Sequence, residues 1–220
     1  MNKKTIARIE AITDIALIIL VASAMYVVFM IVPNERIMGP VQRIFYFHVG
    51  SAIACYVSFA VVLTASLAYL GTRRKSWDAI LHAAGEVGFI FCTIVLVSGM
   101  IWAKSAWNTW FRWEPRLVTF LLLWFIALSF NILRRFGEPA KVPQHSAVLG
   151  LLGAMTVPLV VFSIKFLPQF AQLHPQVVAQ RGLKDPSFIF AMFFCMAVLV
   201  LLQLRLLWIR FRIARLEQRH

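Results

Sequence analysis

Two histidines occupy positions from which an imidazole could bind a metal ion or a cofactor. His48 lies within residues 42–50 (QRIFYFHVG), about one helical turn into an apolar run. A polar ring in hydrocarbon needs a partner, either a hydrogen-bonding group on a neighbouring helix or a metal. His174 lies in the loop 168–186, which is longer than the roughly 12–15 residues above which loops are usually functional or disordered. Taken alone, His174 is more simply a solvated loop residue.

Four of the seven tryptophans are concentrated in one segment, residues 102–116. Tryptophan favours the membrane interface, but an aromatic belt distributes its members over many helix ends on both sides. Flat apolar faces beside cations suit a planar, aromatic and anionic ligand. The segment therefore favours a ligand platform over a belt. Its tryptophans are Trp102, Trp107, Trp110 and Trp113, and the charged residues that follow or separate them are Arg112, Glu114 and Arg116.

The composition requires these residues to be positioned by membrane-spanning helices. Hydrophobic residues make up 61% of the 220 residues and charged residues 14%, whereas a soluble domain is about 45–50% apolar. This composition excludes soluble enzymes and disordered chains and predicts an all-α integral membrane protein. The sequence has no internal repeats, so we expect a single domain of residues 1–220. A spanning helix needs about 20 mostly apolar residues. Six runs qualify, at residues 12–32, 44–70, 87–103, 117–133, 146–167 and 187–209.

The basic residues indicate how this six-helix bundle is oriented. Lys and Arg outnumber Asp and Glu by 22 to 9, which in a soluble protein would suggest nucleic acid. Here it suits cytoplasmic loops beside anionic lipid, and no nucleic-acid partner is expected. Fourteen of the 22 basic residues fall on the side of the two termini. The positive-inside rule therefore predicts cytoplasmic termini and periplasmic loops at 102–116, between the third and fourth helices, and at 168–186.

The first apolar run also resembles a secretory signal peptide. Basic residues precede it, and Ala22-Ser23-Ala24 is similar to a cleavage site. The apolar run continues without a polar break through residues 25–32. We therefore expect the first span to be retained.

This topology places both histidines and the tryptophan segment on the external face, where one ligand would account for all three. Neutral imidazole is a standard axial ligand of haem iron. His48 and His174 could supply both axial bonds while the tryptophans cover the porphyrin. Arg43, Arg112 and Arg116 could meet the two propionates through charge-assisted bonds. The sequence thus predicts a non-covalent, bis-histidine haem b site.

Other candidate groups are poorly placed for such a site. His82 and His145 fall near the cytoplasmic ends of their spans, a membrane's thickness from the tryptophans. The three cysteines lie in apolar runs without a CxxCH motif, so the chain is not itself a c-type cytochrome. A GxxxxGK[ST] phosphate loop is also missing from the sequence, which assigns any ATP-driven step to a partner.

Two stretches resemble the cytochrome c maturation protein C family, also called haem exporter protein C. Residues 43–49 (RIFYFHV) are similar to the histidine-bearing second span of that family. Residues 107–117 (WNTWFRWEPRL) resemble the tryptophan-rich "WWD" signature of the wider haem-handling superfamily. His174 stands where the family has its second external histidine. The chain length, the six spans and the order of the histidines extend the resemblance over nearly the whole chain.

The chain departs from the usual motif, which reads close to W-G-x-x-W-x-W-D-x-R-L-T. Asn108 replaces the glycine, Glu114 the aspartate and Val118 the threonine, and Pro115 follows the acidic residue. Glutamate keeps the charge but moves the carboxylate outward by one methylene. A proline after the acidic residue also resembles the larger haem synthetase relatives.

The resemblance implies a function in cytochrome c maturation. Such proteins bind haem at the outer face of the bacterial inner membrane and pass it to a membrane-tethered haem chaperone. An ABC transporter complex, which includes a small single-span subunit, then releases the loaded chaperone. The resemblance implies a carrier of haem and not an enzyme, with at most an assisting role in covalent attachment of haem to the chaperone.

Three other functions remain compatible with the sequence. An electron-transfer cytochrome b subunit would usually hold haem between histidines within the spans. A subunit of a larger haem synthetase complex would share the tryptophan-rich signature. A structural or assembly subunit would carry the aromatic residues as a dense belt and bind no ligand. A visible spectrum of the purified protein separates haem binding from the structural alternative.

Overall fold

The computed structural model describes residues 2–36, 38–167 and 185–218. Six helices in this part of the chain are long and apolar enough to cross a membrane, which confirms the predicted all-α six-span architecture. Residues 168–184, which include His174, lie outside the described residues. The helices are α1 (Lys3–Tyr26, continued by a π-helical turn at Val27–Ile31), α2 (Arg43–Thr72), α3 (Lys75–Trp107), α4 (Pro115–Phe136), α5 (Val142–Phe166) and α6 (Pro186–Glu217).

The helix ends carry recognisable local signals. The Asp185 side chain caps α6 by accepting from the backbone N–H of Ser187 at 2.8 Å. The hydrogen bonds from the Ser187 hydroxyl and, second, from this N–H lower the pKa of the Asp185 carboxyl. Pro115 starts α4 at a position where a missing N–H costs nothing. Asn108 ends α3 in the left-handed conformation, with φ of 55°. The tryptophan segment is therefore the end of one helix followed by a short connection to the next.

Two central helices, α2 and α3, organise the bundle. α2 packs against α3, α5 and α6, and α3 also packs against α4, whereas α1 contacts mainly α6. Close approach depends on small residues at the interfaces. A Cβ atom at Gly85 would overlap the ring of Phe130, so glycine at this position allows α3 and α4 to pack with that ring between them. All three cysteines are buried, consistent with their interpretation as small hydrophobic residues.

The helix α3 begins twelve residues before the apolar run that predicted it. The added turns contain ionisable side chains, which lower the apparent hydropathy of residues 75–86. These groups are paired across helices: Asp78 lies 2.5 Å from Arg134 of α4, and Glu86 forms an ion pair with Arg210 of α6. Pairing of this kind lets a helix extend beyond its purely apolar stretch.

Candidate functional site

Four helices and one loop enclose a cavity of about 550 Å³ at the end of the bundle where α3 ends and α4 begins. This volume lies within the range of about 300–1,000 Å³ that is common for small-molecule and cofactor sites. The lining is mostly apolar and aromatic. Its ionisable side chains are His48, Tyr56, Arg116 and Lys165, and the described lining residues include no carboxylate. The cavity therefore suits an apolar ligand that carries negative charge at its periphery.

One face of α2 forms a wall of the cavity. Its lining positions recur every three or four residues, as expected for one side of a helix. His48 lies near the middle of this stripe and Tyr56 at its inner end, eight residues further on. The stripe consists of Phe45, His48, Val49, Ala52, Ile53 and Tyr56.

His48 faces the cavity and also contacts the neighbouring helix α3. Its Nδ1 lies 3.0 Å from Oγ of Ser98. The ring packs closely on α3, because a Cβ atom added at Gly99 would lie 3.1 Å from Cε1 of His48. Both interpretations of this histidine are therefore compatible: the ring has a hydrogen-bonding partner on another helix, and it also lines a cavity.

Three of the four clustered tryptophans line the cavity. Trp102 and Trp107 belong to the last turns of α3, with ring centroids 4.9 Å apart and planes at 85°. Trp110 lines the cavity from the connection to α4, although 55% of its surface is exposed. Trp113 is 81% exposed and does not line the cavity, but its ring packs edge-on against Phe111, which does. The structure thus brings three indoles to one ligand-sized space and leaves the fourth on the surface.

Of the candidate cations, too, some line the cavity and others do not. Arg116 lines the cavity, and its Nη2 donates a hydrogen bond to the backbone carbonyl of Val161 on α5. Arg112 lies outside the lining, with Nε 3.2 Å from the carboxylate of Glu114, whose side chain is only 4% exposed. Arg43 lies at the start of α2 and is not among the lining residues. Of the three arginines that the sequence selected, Arg116 alone faces the cavity.

Several lining residues had no role in the sequence prediction. Lys165 of α5 places a second cation at the cavity, with Nζ 6.0 Å from the ring centroid of Phe162. Tyr56 could have been found by projecting α2, because it lies on the same face as His48. Lys165 gave no local signal, and neither did Ser98, which contacts His48 without lining the cavity. Their relevance comes from packing of α3 and α5 against α2 and α4.

The two histidines that were predicted near the cytoplasmic ends of their spans, His82 and His145, do not line this cavity. His82 Nε2 lies 3.0 Å from Glu86, twenty residues before Trp102 along α3, which corresponds to about 30 Å of helix. His145 lies exposed in the first turn of α5. His48 is consequently the only histidine among the cavity lining in the part of the chain that the structure describes.

Comparison with known proteins identifies relatives over most of the chain. The sequence model of a family described as heme exporter protein C matches residues 2–220. A heme exporter protein C of Paracoccus denitrificans is 29% identical over 182 residues, which cover 82% of this chain and 76% of the relative. One from Escherichia coli K12 is 26% identical over 181 residues, covering 79% and 73%. A third, from Bradyrhizobium diazoefficiens, is 30% identical over 133 residues, and the match covers about half, 51%, of that protein.

Proposed function

Because this chain belongs to the haem exporter protein C family, and so to the haem handling of cytochrome c maturation, we propose that it binds haem in the cavity described above and presents it to a membrane-tethered haem chaperone. The chain is a multi-pass membrane protein. In the proposal it resides in the bacterial inner membrane with the cavity on the periplasmic side, as the distribution of basic residues predicts.

One observation carries the proposal: a single cavity is lined by an imidazole, three indoles and two cations. A non-covalent haem needs an axial nitrogen ligand, flat apolar contacts for the macrocycle and positive charge for the propionates. His48 supplies the imidazole, and Trp102, Trp107 and Trp110 supply the flat surfaces. Each requirement is met by a different wall of the same space.

The second axial ligand in this proposal is His174. It lies outside the described residues, and its assignment is derived from the sequence and the resemblance. A loop segment opens at lower free-energy cost than a packed helix. His174 would therefore act as the releasable ligand, while His48, held between α2 and α3, would act as the anchor.

The propionates would be bound by Arg116 and Lys165, the two cations of the lining. Arg112 and Glu114 form their own ion pair just before α4 begins. In the proposal this pair holds the connection between α3 and α4 in place, so that Trp110 and Phe111 cover the cavity. The exposed indole of Trp113 would remain available to a partner protein, because exposed apolar groups beside a site often mark interaction surfaces.

The proposed activity is binding and transfer, not catalysis. The proposed partners are the haem chaperone, the ABC transporter subunits and the small single-span subunit of the same system, together with the lipid bilayer. The energy of ATP would enter through the transporter subunits. This chain would contribute a site that holds haem at the membrane face and releases it to the chaperone.

A visible spectrum of the purified protein tests the proposal. The full chain is expressed with ample haem, and the Soret band is recorded for wild type, His48→Ala, His174→Ala and the double variant. We expect the band in wild type and its loss in the double variant. His145→Ala is the matched control, because that histidine is exposed at the opposite end of the bundle.

Two results would contradict the proposal. Wild-type protein without haem under these conditions would support a structural subunit. A Soret band that survives the double variant but is lost in His82→Ala would support a haem held near the predicted cytoplasmic side, as in an electron-transfer subunit.

A further inference from the structure

Ser98 of α3, whose side chain contacts His48, has only one hydroxyl proton to donate. The Oγ atom of Ser98 lies 2.6 Å from the backbone carbonyl oxygen of Ile94 and 3.3 Å from that of Val95. A carbonyl oxygen can only accept a hydrogen bond, so the single hydroxyl proton of Ser98 is directed to one of these two groups. The side of Oγ that faces the histidine ring then presents a lone pair.

This arrangement determines which nitrogen of His48 carries the proton. Nδ1 lies 3.0 Å from Ser98 Oγ. With Oγ donating to the helix backbone, Nδ1 is assigned as the donor in this contact and carries the hydrogen, and the backbone carbonyl of Val95 is a further hydrogen-bond partner of the ring. In a neutral imidazole with a protonated Nδ1, the free lone pair belongs to Nε2.

The backbone at Gly99 fixes the orientation of the same ring. A Cβ atom at this position would lie 3.1 Å from Cε1 and 3.7 Å from Nδ1 of His48. The Nδ1–Cε1 edge therefore lies directly against α3, where a larger residue would require the ring to shift by a few tenths of an ångström. Two consecutive residues of α3 thus hold the ring, one by a hydrogen bond and the other by close packing.

We propose that Ser98 is a positioning residue that holds His48 in its Nδ1–H tautomer and thereby presents Nε2 as the ligand for haem iron. This inference rests on the proposed function. Metal-bound histidines generally donate their other N–H to an acceptor, which fixes the tautomer and ring orientation and makes the ligand more basic. Loss of such an acceptor typically costs about 10–100-fold in affinity.

Ordinary packing between α2 and α3 is the alternative interpretation of this contact, and the tautomer distinguishes the two roles. Packing alone sets no preference between the two nitrogens. The proposed role predicts that the ring is Nδ1–H before any haem is bound. It also predicts that this preference weakens when Ser98 loses its hydroxyl group, although the backbone carbonyl of Val95 remains as an acceptor for the ring.

Three variants separate the roles. Ser98→Ala removes the acceptor, whereas Ser98→Thr retains a hydroxyl that can donate to the preceding turn and accept from the ring. Ser105→Ala is the matched control, because Ser105 is on the same helix and its Oγ makes the same kind of bond, to Ile101 O at 3.1 Å. Ser105 is exposed and does not line the cavity.

The first measurement is ¹⁵N NMR of histidine-labelled, haem-free full-length protein, with the His48 signals assigned by their absence in His48→Ala. We expect the Nδ1–H form in wild type, Ser98→Thr and Ser105→Ala. Ser98→Ala should shift the population toward Nε2–H. An Nε2–H ring in wild type would overturn the inference without requiring any variant.

The second measurement is titration of the same proteins with ferric haem, followed by the Soret band. We expect the Kd of Ser98→Ala to rise about 10–100-fold, while Ser98→Thr and Ser105→Ala bind as wild type does. If His48→Ala abolishes binding but Ser98→Ala does not weaken it, the inference fails and the proposed function stands. If wild type binds no haem, the proposed function itself fails.

Discussion

Arg116, at the start of α4, donates a hydrogen bond from Nη2 to the backbone carbonyl oxygen of Val161 on α5, 2.8 Å away. Both residues line the cavity. The bond directs the guanidinium across the space between the two helices, so that its charge is held at the cavity and not in bulk water. Arg116 is therefore placed to meet a propionate without first ordering a flexible side chain.

The first prediction concerns the charge and shape of this group. Arg116→Lys should raise the Kd for ferric haem about tenfold, because lysine keeps the charge but lacks the planar guanidinium that binds a carboxylate bidentately. Titration followed by the Soret band measures the change. Arg112→Lys is the control, since Arg112 lies outside the lining and is paired with Glu114. Equal losses in both variants would contradict the assignment.

The tryptophans should separate into two classes. Trp107 lines the cavity, and burial of a large apolar side chain contributes about 1.5–3 kcal/mol. Trp107→Ala should therefore raise the Kd for haem about tenfold or more. Trp113 is 81% exposed, and Trp113→Ala should leave haem affinity within about threefold of wild type. If Trp113→Ala weakens haem binding as much as Trp107→Ala does, the cavity is not the haem site.

The number and type of the helices follow from composition alone, but their extents do not. A run of about 20 apolar residues predicts a span wherever it occurs. The start of α3 was missed because Asp78 and Glu86 lower the hydropathy of its first turns. Their partners, Arg134 and Arg210, lie 56 and 124 positions away in the chain. Such pairing depends on the tertiary packing, which a local pattern does not contain.

For the candidate site, too, the sequence predicted some of the lining residues and missed others. Clustering in the sequence was sufficient to select His48 and the tryptophan segment. It was insufficient to choose among Arg43, Arg112 and Arg116, because all three flank the ends of spans. Which of them faces the cavity depends on how the helices pack and, for Arg112, on the course of the connection between α3 and α4. Lys165 lies near Phe162 and Phe166 in the sequence but outside any tryptophan-rich cluster that would have singled it out, and α5 alone brings it to the cavity.

The two proposed axial ligands should differ in how tightly they retain haem. His48 is held by Ser98 and packs on Gly99, whereas the sequence predicts that His174 lies in a long loop. Haem-loaded His48→Ala should lose most of its haem during gel filtration, and His174→Ala should retain a larger fraction with an altered Soret maximum. The haem-to-protein ratio after the column measures both losses. Equal retention by the two variants would contradict this ranking.

Gly99 offers a test of ring placement that leaves His48 itself intact. In Gly99→Ala the new Cβ would lie 3.1 Å from Cε1 of His48 and would displace the ring. Haem affinity should fall at least about tenfold, as for loss of a group that orients a ligand. Helix propensity changes in the opposite direction, because alanine is favoured over glycine by about 1 kcal/mol in a helix.

Gly71→Ala is the control for this effect. Gly71 lies near the end of α2, and a Cβ atom there would have nothing within 4 Å. The control should share any gain in helix stability and leave the haem titration unchanged. A Gly99→Ala variant that binds haem as wild type does would show that the ring position is unimportant for binding.

The buried ion pair at the other end of the bundle should affect stability and not haem binding. Asp78 and Arg134 are 2.5 Å apart with side chains 11% and 7% exposed. Asp78→Ala leaves a buried cation without its carboxylate, which typically costs about 3–5 kcal/mol. Thermal unfolding in detergent should therefore begin at a clearly lower temperature, while haem affinity measured below that temperature stays unchanged.

Glu138→Ala is the control variant. It breaks the exposed pair with Lys141 and should cost at most about 1 kcal/mol. Similar shifts in both variants would indicate that the Asp78–Arg134 pair is solvated.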